Sequence, residues 1–151
     1  MVVAGDGSVT VAVGTTEIGQ GMVTVLTQIA AEALGCPPEQ VRVMEADTSR
    51  VPDSGPTVAS RTAMVVGGLI VNAARKLKAH VEERTGLPFA LSYQEDARTW
   101  GATRIDERFT PYPGVPFDDE TYTGDAYPTF GWAAGFAPGL PMGPTPWNTP
   151  F

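Results

Sequence analysis

Two short stretches hold the residues of this chain that could do chemistry. Gly19-Gln20-Gly21 stands where helical spacing begins, and Ser54-Gly55-Pro56-Thr57-Val58-Ala59-Ser60-Arg61-Thr62 leads into a second, longer helical stretch. Glycines ahead of a helix let backbone N–H groups approach an anionic ligand. Thr57, Ser60 and Thr62 would bring hydroxyls to the start of a buried helix, where the first N–H groups lack internal partners. Each stretch also has a plainer reading: a tight turn for the first, and capping by Thr57 or Ser60 for the second. If both helix starts follow strands in parallel fashion they open on one crevice, and that convergence favours an anionic, phosphate-bearing ligand.

Other chemistries have less support. Cys36 is the single cysteine and His80 the single histidine. An internal disulfide is therefore impossible, and a zinc or iron–sulfur site has too few ligands in this chain. Any metal must be carried by an organic cofactor or held by another chain. His80 falls among Lys and Glu on an expected exposed helix end, which disfavours a Ser/His/Asp triad. Cys36, ahead of two prolines, reads as a small packed residue. Asp118-Asp119-Glu120 lacks the alternating oxygen ligands and glycine of a calcium loop. No Gly-Lys-Ser/Thr sequence of a phosphate loop occurs. No catalytic side chain and no metal ligand is assigned.

The elements that must position the two stretches follow from periodicity. Ser8–Val13 alternates as a strand after the Gly5-Asp6-Gly7 turn. From Gln20, Met22, Leu26, Ile29 and Ala33 recur at helical spacing until Gly35, and Pro37-Pro38 block resumption. Gln40–Ala46 alternates as a second strand, completing a strand–helix–strand unit. Asp47–Pro56 is a loop of turn residues. A longer helix is expected from about Ala59 to Glu83, its first half buried around Met64–Val71 and its RKLKAHVEER end solvated. Gly67-Gly68 inside it costs about 1 kcal/mol each relative to Ala, and close helix packing is the favoured explanation over a ligand role. Ser92–Ala102 fits a third helix with Ser92 as N-cap and Glu95 closing a capping box. Arg104–Phe109 fits an edge strand, 111–116 a proline-rich connector, and Thr129–Phe136 a last strand.

With 151 residues the chain has the length of one domain, long enough to bury a core. Fourteen prolines and seventeen glycines make it rich in turns. A net charge of −7 and a pI near 4.5 disfavour nucleic acid as the main partner. No apolar run suits a membrane helix and the start lacks the pattern of a signal peptide, so a cytoplasmic protein is expected. Residues 137–151 hold five prolines and no charge, and are expected to be disordered or packed in extended form on a neighbour. The predicted fold class is α+β: a small mixed sheet covered by two main helices, over residues 1–136, with a Pro/Gly-rich tail at 137–151.

GTTEIGQGMVTVLTQIAAEALG followed by EADTSRVPDSGPTVASRTAMVVGGLIVNAARKL resembles the molybdopterin-binding subunit of the xanthine dehydrogenase/aldehyde oxidase family of molybdenum hydroxylases. The likeness lies in E-I-G-Q-G before one helix and D-T…P…S-x-P-T-x-A-S before the next, at the family's separation. It covers residues 5–80 strongly, and YPTFGWAAGFA more weakly. The resemblance implies that Gly19, Gln20 and Gly21 lie against the pterin, with Gln20 the side-chain contact. It implies that Val58, Ala59, Ser60, Arg61 and Thr62 form a second wall, Ala59 nearest the molybdenum, with Ser60 and Thr62 bonded to the pterin. It further implies a metal held by dithiolene sulfurs of the molybdopterin cofactor, as such or as a cytosine dinucleotide. The implied reaction is hydroxylation of a heteroaromatic ring or aldehyde with water-derived oxygen. Electrons would leave through iron–sulfur clusters and FAD on partner chains.

The sequence also departs from the family pattern. The family's general base is a glutamate in a G-x-G-E context, and this chain contains no Gly-Glu dipeptide. Glu17 belongs to the first motif and is no substitute. The chain is therefore expected to be a slice of a longer molybdopterin subunit, from a split, truncated or frame-shifted gene. It would supply one wall of the cofactor site and be inactive alone. Its expected partners are the remaining subunit segments, iron–sulfur and FAD subunits, and a further copy of itself. The competing expectation is a non-catalytic, self-associating remnant with an empty site. A third is a phosphate- or nucleotide-binding module that uses the two helix starts.

Overall fold

The alternation at Val9-Thr10-Val11 buries both valines completely or nearly so, and the sheet is built around them. A computed structural model describes residues 1–3, 7–58, 60–109, 117–118, 121 and 123–124. In it β1 (Val2–Val3) pairs antiparallel with β2 (Val9–Val11), and β3 (Val41–Val43) pairs with β2 in parallel. A parallel pair needs a crossover, which α1 (Met22–Leu34) provides. Helix α2 (Gly67–Thr85) packs on α1, and α3 (Phe89–Trp100) packs on α2. β4 (Thr103–Arg104) closes the free side of β1 in antiparallel sense, giving the order β3-β2-β1-β4. A separate small hairpin joins β5 (Phe117–Asp118) to β6 (Thr123–Gly124). This is the small mixed sheet and α+β class read from the sequence.

Helix α1 turns Met22, Leu26, Ala30, Ala31 and Leu34 inward, while Ile29 and Ala33 sit half-buried at the flank. Gly35 ends it as expected, adopting φ 73° while its N–H meets the carbonyls of Ala31 and Glu32. Pro37-Pro38 do not extend α1 but begin a single tight turn, Pro38–Gln40, that feeds β3. The expected strand over Gln40–Ala46 shortens to three residues because only these pair with β2.

The second helix differs more from expectation. It opens with a wide π-helical turn, Thr62–Val66, before α2 proper. Its buried face is one stripe, Val66, Gly67, Ile70, Ala73, Ala74, Leu77 and Val81. Met64–Val71 is thus not buried throughout, and the far end is not simply solvated, since Leu77 and Val81 lie fully in the core. Gly67 is a close-packing residue: a Cβ there would stand 3.0 Å from Ile29 Cδ1. Gly68 faces open space and has no such reason. Gly67→Val is expected to force α1 and α2 apart and cost about 2 kcal/mol, measurable by urea unfolding, whereas Gly68→Ala should stabilise the helix slightly.

Helix α3 starts three residues earlier than the capping pattern suggested. Phe89 must reach the core, where it stacks on Tyr93 with ring centroids 4.8 Å apart. Pro88 occupies the cap position, and Glu82 Oε1 accepts from the Phe89 N–H at 2.9 Å. Ser92 consequently lies inside the helix and bonds back to the carbonyls of Leu87 and Pro88, while Glu95 pairs with Arg98. The edge strand expected at Arg104–Phe109 is present only at its start, with Ile105 and Met1 exchanging backbone bonds beyond it. The 111–116 connector, the strand at Thr129–Phe136 and the tail at 137–151 lie outside the described residues. Among the described residues no helix is long and apolar enough to cross a membrane.

Candidate functional site

The two motifs are tied together by hydrogen bonds. The Gly14 N–H donates to Ser54 Oγ at 2.8 Å and the Thr16 N–H to Thr57 Oγ1 at 3.1 Å. Thr57 therefore does not cap the second helix; its hydroxyl clasps the first loop. Thr15 is buried beneath, with its hydroxyl on Met22 Sδ. These contacts hold the 14–21 loop against the 54–58 loop and leave a cleft of about 360 Å³ between them. Ile18, Gln20, Met22, Val25 and Leu26 line one wall, and Thr57, Val58, Ser60, Thr62 and Ala63 the other. The two helix starts thus meet on one crevice.

The opening of α1 has an answer that the sequence concealed. Gly21 occupies the cap position and has no side chain to offer. Glu17 supplies the acceptors instead: Oε1 receives the N–H groups of Gly19 at 2.8 Å and Gly21 at 3.1 Å, and Oε2 that of Val23 at 3.0 Å. Gly19 and Gly21 take φ values of 97° and 81°, which let the chain curl around the carboxylate. Gln20 folds back on the same loop, with Oε1 accepting from the Ile18 N–H and Nε2 donating to the Thr16 carbonyl. The missing cap at Gly21 was the signal: an uncapped helix start with an acid four residues upstream. Glu17 also fills the donors that a ligand phosphate would otherwise take.

The Val23 N–H, followed by those of Gly19 and Gly21, holds the Glu17 carboxyl below its ordinary value of 4.5. A depressed carboxylate stabilises the fold above its unfolded pKa, and that contribution disappears as pH falls through the folded value. Glu17→Gln should accordingly melt at lower temperature than the parent at neutral pH. The gap should close well below 4.5, as thermal melts across that range would show. A constant gap would place the effect elsewhere.

The second wall has two uncommon features. Ser60 adopts φ 62°, a left-handed conformation that serine seldom takes. Thr62 is 9% exposed, and its Oγ1 has no hydrogen-bond partner among the described residues. A buried hydroxyl without a partner costs about 1–3 kcal/mol. Arg61 turns away from the cleft, with Nη1 on the Ser54 carbonyl, and lines a separate cavity. Ala59 lies outside the described residues. Of the eight residues named from the sequence, then, Gln20, Val58, Ser60 and Thr62 line the cleft, while Gly19 and Gly21 belong to the loop that carries Gln20. His80 is exposed and Cys36 buried, with burial pushing its thiol pKa up. Among the described residues no group of acids, His and Cys could hold a metal ion.

A cleft between two helix entrances, lined by polar and apolar side chains from both loops, is the arrangement of a ligand-binding domain. The chain matches the molybdopterin cofactor-binding domain family over residues 1–137 and belongs to it. Its relatives include the xanthine dehydrogenase of Drosophila pseudoobscura pseudoobscura, 44% identical over 79% of this chain and 9% of that protein. Xanthine dehydrogenase of Drosophila subobscura is 36% identical over the same shares, and xanthine dehydrogenase 1 of Arabidopsis thaliana 31% identical over 87% and 10%. The chain thus spans about a tenth of the length of the curated relatives it matches.

Proposed function

We propose that the 360 Å³ cleft is one wall of the molybdopterin site in a xanthine dehydrogenase-type molybdenum hydroxylase. The single observation that carries this reading is Thr62, a cleft-lining residue whose buried Oγ1 has no hydrogen-bond partner among the described residues. A polar, largely neutral ring system suits the site better than a free phosphate, because Glu17 already occupies the donors at the start of α1. Thr62 and Ser60 would hold the pterin edge by hydrogen bonds, and the Gln20 amide would turn from its loop contacts to meet it. Ala59 would belong to the same wall, nearest the metal. Ile18 and Val58, both largely exposed at the rim, would cover the bound ring and exclude water. When bound, the cofactor would supply the molybdenum centre, either as molybdopterin or as its cytosine dinucleotide form.

In this reading the chain orients the cofactor and does not activate substrate, since it holds no glutamate in the family's base context. Activity would require further molybdopterin-subunit segments and partners carrying iron–sulfur clusters and FAD. Cytoplasmic assembly fits such an enzyme. The protein would be produced in cells that make the cofactor and isolated with its co-purifying chains. Thr62→Val keeps the side-chain shape and removes an unsatisfied hydroxyl, so its melting temperature should be unchanged or higher. Its molybdenum and released pterin should fall by roughly three- to tenfold in affinity terms. Equal cofactor content in both proteins would contradict the assignment.

A further inference from the structure

Arg61 sits in the second motif, yet the cleft does not use it. The residue is 7% exposed, and among the described residues no carboxylate lies within ion-pairing distance of it. Its guanidinium lies flat on Gly55, where a Cβ would approach to 2.7 Å. Of five N–H donors, one is used among the described residues, Nη1 donating to the Ser54 carbonyl. The group lines a second cavity, about 720 Å³, between the sheet and α2. The acids around that cavity are already engaged. Asp106 pairs with Arg104 at 2.9 Å, Glu107 with Lys76 at 2.5 Å, and Asp53 Oδ1 accepts from the Gly55 N–H. Arg108 adds a second cation at the mouth. The remaining wall is apolar, formed by Val11, Val13, Val66, Ile70 and Ala73.

We propose that this cavity is a docking groove for an extended peptide segment that presents one Asp or Glu between apolar side chains, the carboxylate seated on Arg61. A buried guanidinium, fixed on the Ser54 carbonyl and with donors left over among the described residues, suits bidentate carboxylate recognition. The apolar wall between Val66 and Ala73 runs along about 10 Å of helix, the span of roughly three extended residues. A small acid would leave most of that wall uncovered. The matched relatives are far longer than this chain, so proteins of this kind have ample polypeptide to supply such a segment.

The test is a bead-displayed random heptapeptide library screened against the purified protein. Selected peptides should share an Asp or Glu at one position with apolar residues on both sides, and replacing that acid by its amide should weaken binding about tenfold. Arg61→Gln should abolish the acid–amide difference. Because that variant could also loosen the loop, Leu69→Glu provides a second check. It leaves Arg61 in place and sets a negative charge on the half-buried cavity wall, and it should remove peptide binding. Selection of no peptide, equal binding of acid and amide forms, or binding that survives Leu69→Glu would overturn the proposal. So would benzoate competing at the concentration at which the peptide itself binds.

Discussion

Asp96→Ala should lower the unfolding free energy by about 3 kcal/mol, a large fraction of what a domain of this size possesses. Asp96 is 1% exposed and receives Arg84 through both oxygens, Nε on Oδ1 at 2.6 Å and Nη2 on Oδ2. Arg84 also bonds Thr103 Oγ1 at 3.1 Å and lies 5.0 Å above the Trp100 ring. One guanidinium therefore links the end of α2, the middle and end of α3, and β4. Removing the acid strands a mostly buried cation, although Arg84 keeps 24% side-chain exposure, which puts the expected cost at the low end for such pairs. Urea unfolding with an unchanged slope would report it. A loss under about 0.5 kcal/mol would mean that this connection is replaceable. The cluster touches neither cleft nor cavity, so pterin content per folded molecule should not change.

Leu26→Ala should cost a similar amount, about 3 kcal/mol, but with a second consequence. Leu26 is fully buried and also forms the floor of the cleft. Its truncation leaves a void beneath the proposed pterin wall, so cofactor retention should fall together with stability. Leu77 is the natural control. It is equally buried, on α2 away from the cleft, and Leu77→Ala should match the loss of stability while leaving cofactor content per folded protein unchanged. If the two variants lose cofactor equally, the cleft has no special claim on it.

Much of the positioning framework was legible in the sequence. The period change at Gln20 marks α1 closely, and Gly35 stops it for the expected conformational reason. The parallel strand pair follows from the crossover that α1 makes. Other features were hidden because they depend on contacts distant in sequence. Ser92 looked like a cap by local pattern, but burial of Phe89 beside Tyr93 moves the helix start upstream. The π-helical turn at Thr62–Val66 has no pattern in the residues themselves. Of the run Val58–Thr62, Val58, Ser60 and Thr62 line the cleft, while Arg61 lines the other cavity. The left-handed turn at Ser60, which precedes that division, has no signature in the residue types. The Gly-Gln-Gly stretch proved to be a turn wrapped around Glu17, which explains why α1 begins without a Ser or Asp cap.

The central claim is that the cofactor lies between the Gln20 loop and Thr62. Its most direct test is an anomalous difference map, recorded at the molybdenum absorption edge, from crystals of the protein purified with its cofactor. The account predicts pterin density in the cleft, with Thr62 Oγ1 in hydrogen-bond contact and Arg61 apart from it. Pterin density in the Arg61 cavity, or a molybdenum peak with the cleft empty and Thr62 still unpaired, would contradict it.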